Sequence, residues 1–188
     1  NLAENEEFVQ AALEDSEDVD AAVSGMDGIV HLGGASKEQP LEALIPANIV
    51  GMHHMLEAAR RHGVPRFVFA STMHLMGFYE RTDALSDNSP IRPDSRYAAT
   101  KAFGEALAQV YARKHGIAVT CIRIGHATAD EDSAEPGNWI GPDDLAALVE
   151  IGLEHPAIAF EILPAIAPCR GDAVDRGCSK RLGHRSRH

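Results

Sequence analysis

Hydrophobic and polar positions along the chain alternate between two rhythms. Short apolar runs at residues 7–12, 28–32, 66–70, 118–124 and 159–163 have strand length and predict five β-strands. Between them the apolar positions recur at helical spacing. Helices are predicted at residues 16–24, from about 46 to 61, and from about 94 to 115, with a fourth starting near Pro142-Asp143-Asp144. His62-Gly63 followed by Pro65 stops the second helix. In the third, Phe103, Leu107, Val110 and Tyr111 are spaced as a stripe expected to face the core.

Strands that read as continuous apolar runs, each followed by a helix, predict a parallel sheet buried on both faces. The expected fold class is therefore α/β, a Rossmann-like doubly wound parallel sheet. With 188 residues and 45% hydrophobic content the chain can bury the core of one domain. That domain is expected over residues 1–167. Residues 168–188 change character, holding six of the 17 Lys and Arg against two acids and no aromatic, and read as a basic, poorly ordered tail.

Charge narrows the partners. With 28 acidic against 17 basic residues, a net charge of -11, the chain lacks the basic footprint of a nucleic-acid binder. There is no apolar run long enough for a membrane span and no basic-then-apolar leader, so a small-molecule partner and a cytoplasmic setting are expected. Cys121, Cys169 and Cys178 are an odd number without a CxxC pair, which suits a reducing compartment. No metal site is expected, because Cys169, Cys178, His184 and His188 do not have zinc-finger spacing.

The strongest chemical signal is Tyr97-Ala98-Ala99-Thr100-Lys101. A spacing of four on a helix puts the phenol and the ammonium on one face. A neighbouring ammonium favours phenolate, so Lys101 is expected to lower the Tyr97 pKa and make it a general base. Alone the spacing is common, and a solvated Lys beside a half-buried Tyr would explain it. Two further strand ends give it context. The run 67–74 ends in Ser71-Thr72-Met73-His74, and the run 29–36 ends in Leu32-Gly33-Gly34-Ala35-Ser36. Ligands of open parallel sheets bind at such carboxyl ends, so the three ends are expected to converge on one crevice.

Over about residues 7–163 these motifs, in this order and closing with Arg123-Ile124-Gly125, resemble the extended short-chain dehydrogenases, the family of NAD-dependent sugar epimerases and dehydratases. Within that family, His31–Ser36, Phe69–Thr72, His74, Gly77-Phe78-Tyr79, Arg92–Ser95 and Ile122–Gly125 are most similar to uronate dehydrogenases. The resemblance implies oxidation of a hexuronic acid at its anomeric carbon by NAD, with NADP as the alternative cofactor. It assigns Tyr97, Lys101 and Thr72 as catalytic. It places Leu32, Gly33, Gly34, Tyr97, Lys101 and Ile124 at the cofactor, and Ser36, Thr72, Met73 and His74 at the substrate. Asn48 matches a helix Asn that supports the active site, and a homodimer through the helices before and within the Tyr97–Lys101 region is a further implication. Bland alternatives stand beside these roles: Ser36 as a turn cap, His74 as a surface loop residue and Asn48 as a polar residue satisfying backbone.

Several features depart from the pattern. No GxGxxG or GxxGxxG turn occurs in the chain, so the first βαβ unit of the usual order is expected to be missing, and these 188 residues are expected to bind NAD weakly. Ala12 stands where the family has an adenine-binding Asp, and Met73 where it has an Asn or similar residue. Ala134 and Glu135 stand where uronate dehydrogenases have a carboxylate-binding Arg before Trp139. Two other readings follow: a sugar epimerase or dehydratase, and a truncated non-catalytic remnant or binding module.

Overall fold

The computed structural model describes residues 6–80, 83, 85, 89–134, 137–166 and 181–184. Helix α1 (Ser16–Val23) starts where the Asp15 carboxylate accepts from the Glu17 and Asp18 amides, partners that the first helical turn cannot supply itself. Strand β1 (Ile29–His31) follows. The second helical run is longer than its pattern implies, comprising α2 (Leu41–Leu44), a π turn (Ile45–Val50) and α3 (Gly51–His62). Pro46, which suggested a helix start, lies inside it. Proline has no N–H to give the helical ladder, and the chain widens around it, so that the Gly51 N–H reaches the Pro46 carbonyl.

Strand β2 (Arg66–Thr72) runs into a 3-10 turn at Met73–Met76. Helix α4 (Arg96–His115) is capped by the Ser95 hydroxyl, which accepts from the Ala98 amide. Then come β3 (Ala118–Ile124), the short strands β4 (His126–Ala127) and β5 (Trp139–Ile140), α5 (Pro142–Glu154) and β6 (Phe160–Ala165). The main sheet has the order β1-β2-β3-β6 with every pairing parallel, as the sequence pattern predicts. The two-residue parallel pair of β4 and β5 was not predicted, being too short to leave a periodic signal.

The pleat of β2 and β3 divides the core. Phe67, Phe69, Val119 and Cys121 join Val19, Met52, Leu56 and Tyr111 on one side. Val68, Ile122 and Leu163 meet Ile140, Leu148 and Ile158 on the other. Helices thus cover both faces, which is the doubly wound arrangement. Leu182, from the basic segment, packs into the second cluster at 7% exposure, and Arg181 pairs with Glu161 at 3.3 Å.

Two expectations are corrected. Residues 7–12 form no strand, and Phe8 and Val9 are 73% and 53% exposed. A strand needs a ladder partner, and among the described residues β1 pairs only with β2. The other correction concerns α4. Phe103 and Val110 lie at the surface and Leu107 is only partly buried, whereas Ala98, Lys101, Gly104, Glu105, Ala108 and Tyr111 form the buried side. The helix approaches β2 so closely that a Cβ at Gly104 would fall 2.5 Å from the Phe69 ring. Small and polar residues, not large apolar ones, fit that contact.

Candidate active site

Sheet order and register bring the chemically distinctive residues together at the carboxyl ends of the strands. Thr72, at the end of β2, is paired in register with Ile124 of β3, while His31 of β1 pairs with Phe69. Helix α4 crosses behind these ends. It carries Tyr97 in its first turn and Lys101 one turn later, on the same face.

Burial raises the Tyr97 phenol above its ordinary pKa, and the neighbouring Thr72 hydroxyl, which favours the phenolate, offsets this only in part. This corrects the expectation that Lys101 would lower it. The ammonium sits 5.9 Å from the Tyr97 ring centroid and donates instead to the Ala70 carbonyl at 2.7 Å. Burial brings the Lys101 amine down to about 8, since desolvation penalises the charged form. The ammonium also lies 4.8 Å from the Phe69 ring centroid, a cation–π contact.

Thr72 also accepts from the His74 amide at 3.2 Å, which starts the 3-10 turn. The His74 ring stands edge-on to Tyr97 with centroids 6.3 Å apart. Met73 is half-buried between Thr72 and His74, and Ile124 is half-buried beside Thr72. Leu32, Gly33, Gly34 and Ser36 follow β1 as an exposed loop. Tyr97, Lys101, Thr72 and His74 therefore lie together at the carboxyl end of β2, with Ile124 adjoining.

Asn48 fastens the β1 loop to α4. Its Oδ1 accepts from the Ala35 amide at 2.7 Å, and its Nδ2 donates to the Ala35 carbonyl at 3.1 Å and to Thr100 Oγ1 at 2.9 Å. Thr100 in turn donates to the Tyr97 carbonyl at 2.7 Å. Gly34 adopts φ +122, and a Cβ there would fall 2.6 Å from Asn48 Oδ1. Only glycine allows both the backbone turn and this approach. Glu38, further along the loop, accepts from the Tyr97 amide at 3.0 Å and from Arg96, and these bonds hold its carboxyl below the usual range.

A residue that the motifs did not single out holds the site from beneath. Glu105, one turn beyond Lys101, receives Ser71 Oγ at 2.6 Å and a bidentate contact from Arg123. A charged residue inside the apolar run 118–124 was the available signal, because a buried guanidinium requires an acid partner. His31 is pushed down to about 4 by burial, with the Lys101 charge adding to it, and it stacks on Phe69 at 5.9 Å. Cys169, Cys178 and His188 lie outside the described residues, as does Glu135. Among the described residues no group of His, Cys, Asp or Glu could hold a metal ion, and no helix is long and apolar enough to cross a membrane.

A parallel sheet wound on both faces, with tyrosine, lysine and threonine meeting at its strand ends, defines the short-chain dehydrogenase class. Residues 1–140 match the NAD dependent epimerase/dehydratase family, and the chain belongs to that family. It is 42% identical over 158 residues to the uronate dehydrogenase of Agrobacterium fabrum, covering 84% of this chain and 60% of that protein. Among solved structures, glucuronic acid dehydrogenase from Chromohalobacter salexigens superposes with a TM-score of 0.95 at 35% identity, covering 100% of this chain and 71% of the other. A uronate dehydrogenase from Agrobacterium tumefaciens, complexed with NAD, gives 0.92 at 36% identity with the same coverage. The chain spans 60% and 61% of the lengths of two uronate dehydrogenases it matches.

Proposed function

We propose that the chain carries the proton-transfer half of an NAD-dependent dehydrogenase that oxidises a hexuronate or related sugar acid at its anomeric carbon. The observation that carries this reading is the placement of Tyr97 and Lys101 on one face of α4, with the Lys101 ammonium 5.9 Å from the Tyr97 ring centroid and donating to the Ala70 carbonyl two residues before Thr72, in a chain similar to uronate dehydrogenases. Two hydroxyls converging on one point suit a single reacting oxygen. Tyr97 takes the proton of the anomeric hydroxyl, while Thr72 hydrogen-bonds the same oxygen and holds it within transfer distance.

NAD suits the donor set at the nicotinamide end. Lys101 has three N–H donors, one of them on the Ala70 carbonyl, which leaves two for the ribose hydroxyls. Leu32, Gly33, Gly34 and Ile124 line the same strand ends. A nicotinamide held by these residues would supply the acceptor for the hydride of the anomeric carbon. Because burial raises the Tyr97 phenol, proton acceptance strengthens as the pH rises. The depressed amine of Lys101 is in part neutral at mildly alkaline pH, and in that neutral form it can take up the proton that Tyr97 has accepted. Ser36 and His74, on the exposed loop and turn, contact the sugar hydroxyls. Exposed Phe103 and Val110 on α4 support a homodimer through that helix.

The test is NADH formation from glucuronate and galacturonate by the purified chain, with NAD affinity measured by calorimetry. Turnover that rises above neutral pH and falls by about 10²–10⁴ in Tyr97→Phe, with NAD affinity retained, supports the reading. A redox-neutral sugar product, or unchanged turnover in Tyr97→Phe, overturns it.

A further inference from the structure

Asp94 ends the loop that leads into α4, and its carboxylate faces the 3-10 turn after Thr72. Oδ2 lies 2.8 Å from His74 Nδ1, and the Asp94 amide donates to the His74 carbonyl at 3.3 Å. The space for this carboxylate is made by Gly77, where a Cβ would fall 1.9 Å from Oδ2. Any side chain at 77 would expel it. The imidazole is 57% exposed, against 26% for the carboxylate, so the acid is the sheltered member of the pair.

An ionised carboxylate can only accept a hydrogen bond, so the proton between the two groups resides on Nδ1. In the neutral ring Nε2 is then an acceptor. The ring is held by Asp94 and by its edge against Tyr97, and the His74 amide on Thr72 Oγ1 holds the backbone that carries it. We propose that Asp94 is a positioning residue that holds His74 as the Nδ1–H tautomer, so that Nε2 accepts a hydrogen bond from a hydroxyl of the sugar beside the reacting carbon. This rests on the reading of Tyr97 as the acceptor of a sugar proton. A site built to accept from a hydroxyl rejects an analogue that lacks it, because the imidazole nitrogen is left unpaired.

The test begins with the full chain carrying nitrogen-labelled histidines, observed by long-range proton–nitrogen spectra at a pH where the imidazoles are neutral. His74 shows the Nδ1–H pattern in the wild-type chain and shifts to the Nε2–H pattern in Asp94→Ala. A wild-type ring protonated on Nε2, or an identical pattern in the variant, overturns the proposal. Kinetics with glucuronate supply the second readout. Asp94→Ala raises KM about tenfold, the value of one hydrogen bond, with little change in kcat. Asp94→Asn, which fills the same space against Gly77 and retains an accepting oxygen, stays within about threefold of wild type. Loss of kcat at unchanged KM in Asp94→Ala also overturns it. If Asp94→Ala does not fold, Asp94→Ser carries both comparisons with the same expected outcomes. If the wild-type chain oxidises no uronate, the functional reading fails while the spectra still decide the Asp94–His74 relationship.

Discussion

Arg123 grips Glu105 with two parallel hydrogen bonds, Nε to Oε1 at 2.9 Å and Nη2 to Oε2 at 2.8 Å, in the layer directly beneath the candidate active site. The side chains are 10% and 8% exposed, and Ser71 Oγ donates a further hydrogen bond to Oε1 at 2.6 Å. Each member adjoins a residue of the site: Ser71 precedes Thr72, Arg123 precedes Ile124, and Glu105 lies one turn beyond Lys101. The pair thus couples β2, β3 and α4 at the level where their geometry matters.

Breaking this pair leaves a buried charge without a partner. Glu105→Leu is expected to cost about 3–5 kcal/mol of folding stability. The double variant Glu105→Leu/Arg123→Met removes both charges and recovers most of that loss. Urea denaturation of the two variants and wild type measures the difference, and equal loss in both would show that packing volume, not charge, governs the site.

His31 predicts a pH dependence. Its folded pKa of about 4 lies below the unfolded value of 6.5, so between these pH values the unfolded chain binds more protons. Stability from this residue is present above pH 6.5 and is lost as the pH falls toward 4, by at most roughly 3 kcal/mol. His31→Phe is expected to flatten that part of the stability profile, measured by denaturation at pH 7 and pH 5. A profile as steep in the variant as in wild type would assign the slope to other groups.

Lys101 is held at a cost to folding. Its pKa, lowered by burial to about 8 from 10.5, means that the charged form is disfavoured in the folded chain at neutral pH. Lys101→Met relieves that cost and forfeits the bond to the Ala70 carbonyl, for a net gain of about 1–2 kcal/mol. Thermal unfolding is expected at a higher temperature, together with loss of the proposed NAD-dependent turnover. A destabilised variant would mean that the Ala70 and Phe69 contacts outweigh desolvation.

Asn48 makes a local prediction about the β1 loop. Asn48→Ala removes the acceptor of the Ala35 amide and the donor to Thr100, and is expected to cost about 2–3 kcal/mol. Hydrogen exchange at Ala35 should accelerate while exchange in β2 and β3 falls only by the global change. Uniform acceleration would show that Asn48 supports the whole fold and not the loop.

How far the sequence revealed these features depended on the kind of signal. Strands β2, β3 and β6 and helix α1 are bounded within a few residues of their predicted limits, because each is a regular apolar pattern with its own caps. The stripe on α4 misled for an identifiable reason. Phe103 and Val110 are apolar but exposed, while the face that packs on β2 must be thin enough to pass Gly104 against Phe69. Residues 7–12 misled in another way, since strand propensity without a paired edge makes no ladder.

At the candidate site the motifs named Tyr97, Lys101, Thr72 and His74, and the structure places these four near one another at the carboxyl end of β2. Glu38 and Glu105 were not recognised, and Asp94 entered only as part of the Arg92–Ser95 motif without a role, because an acid in a loop or on a helix is ordinarily solvated.

The sequence by itself determined the alternation of strand and helix, the parallel class of sheet, and the spacing that puts Tyr97 and Lys101 on one helix face. These follow from periodicity and from backbone rules that act within a few residues. Only the tertiary structure decided which acid meets which base, which face of α4 is buried, and that burial raises Tyr97 while lowering Lys101 and His31. Those outcomes depend on groups far apart in the chain and on how much water their packing excludes, and no local pattern carries that information.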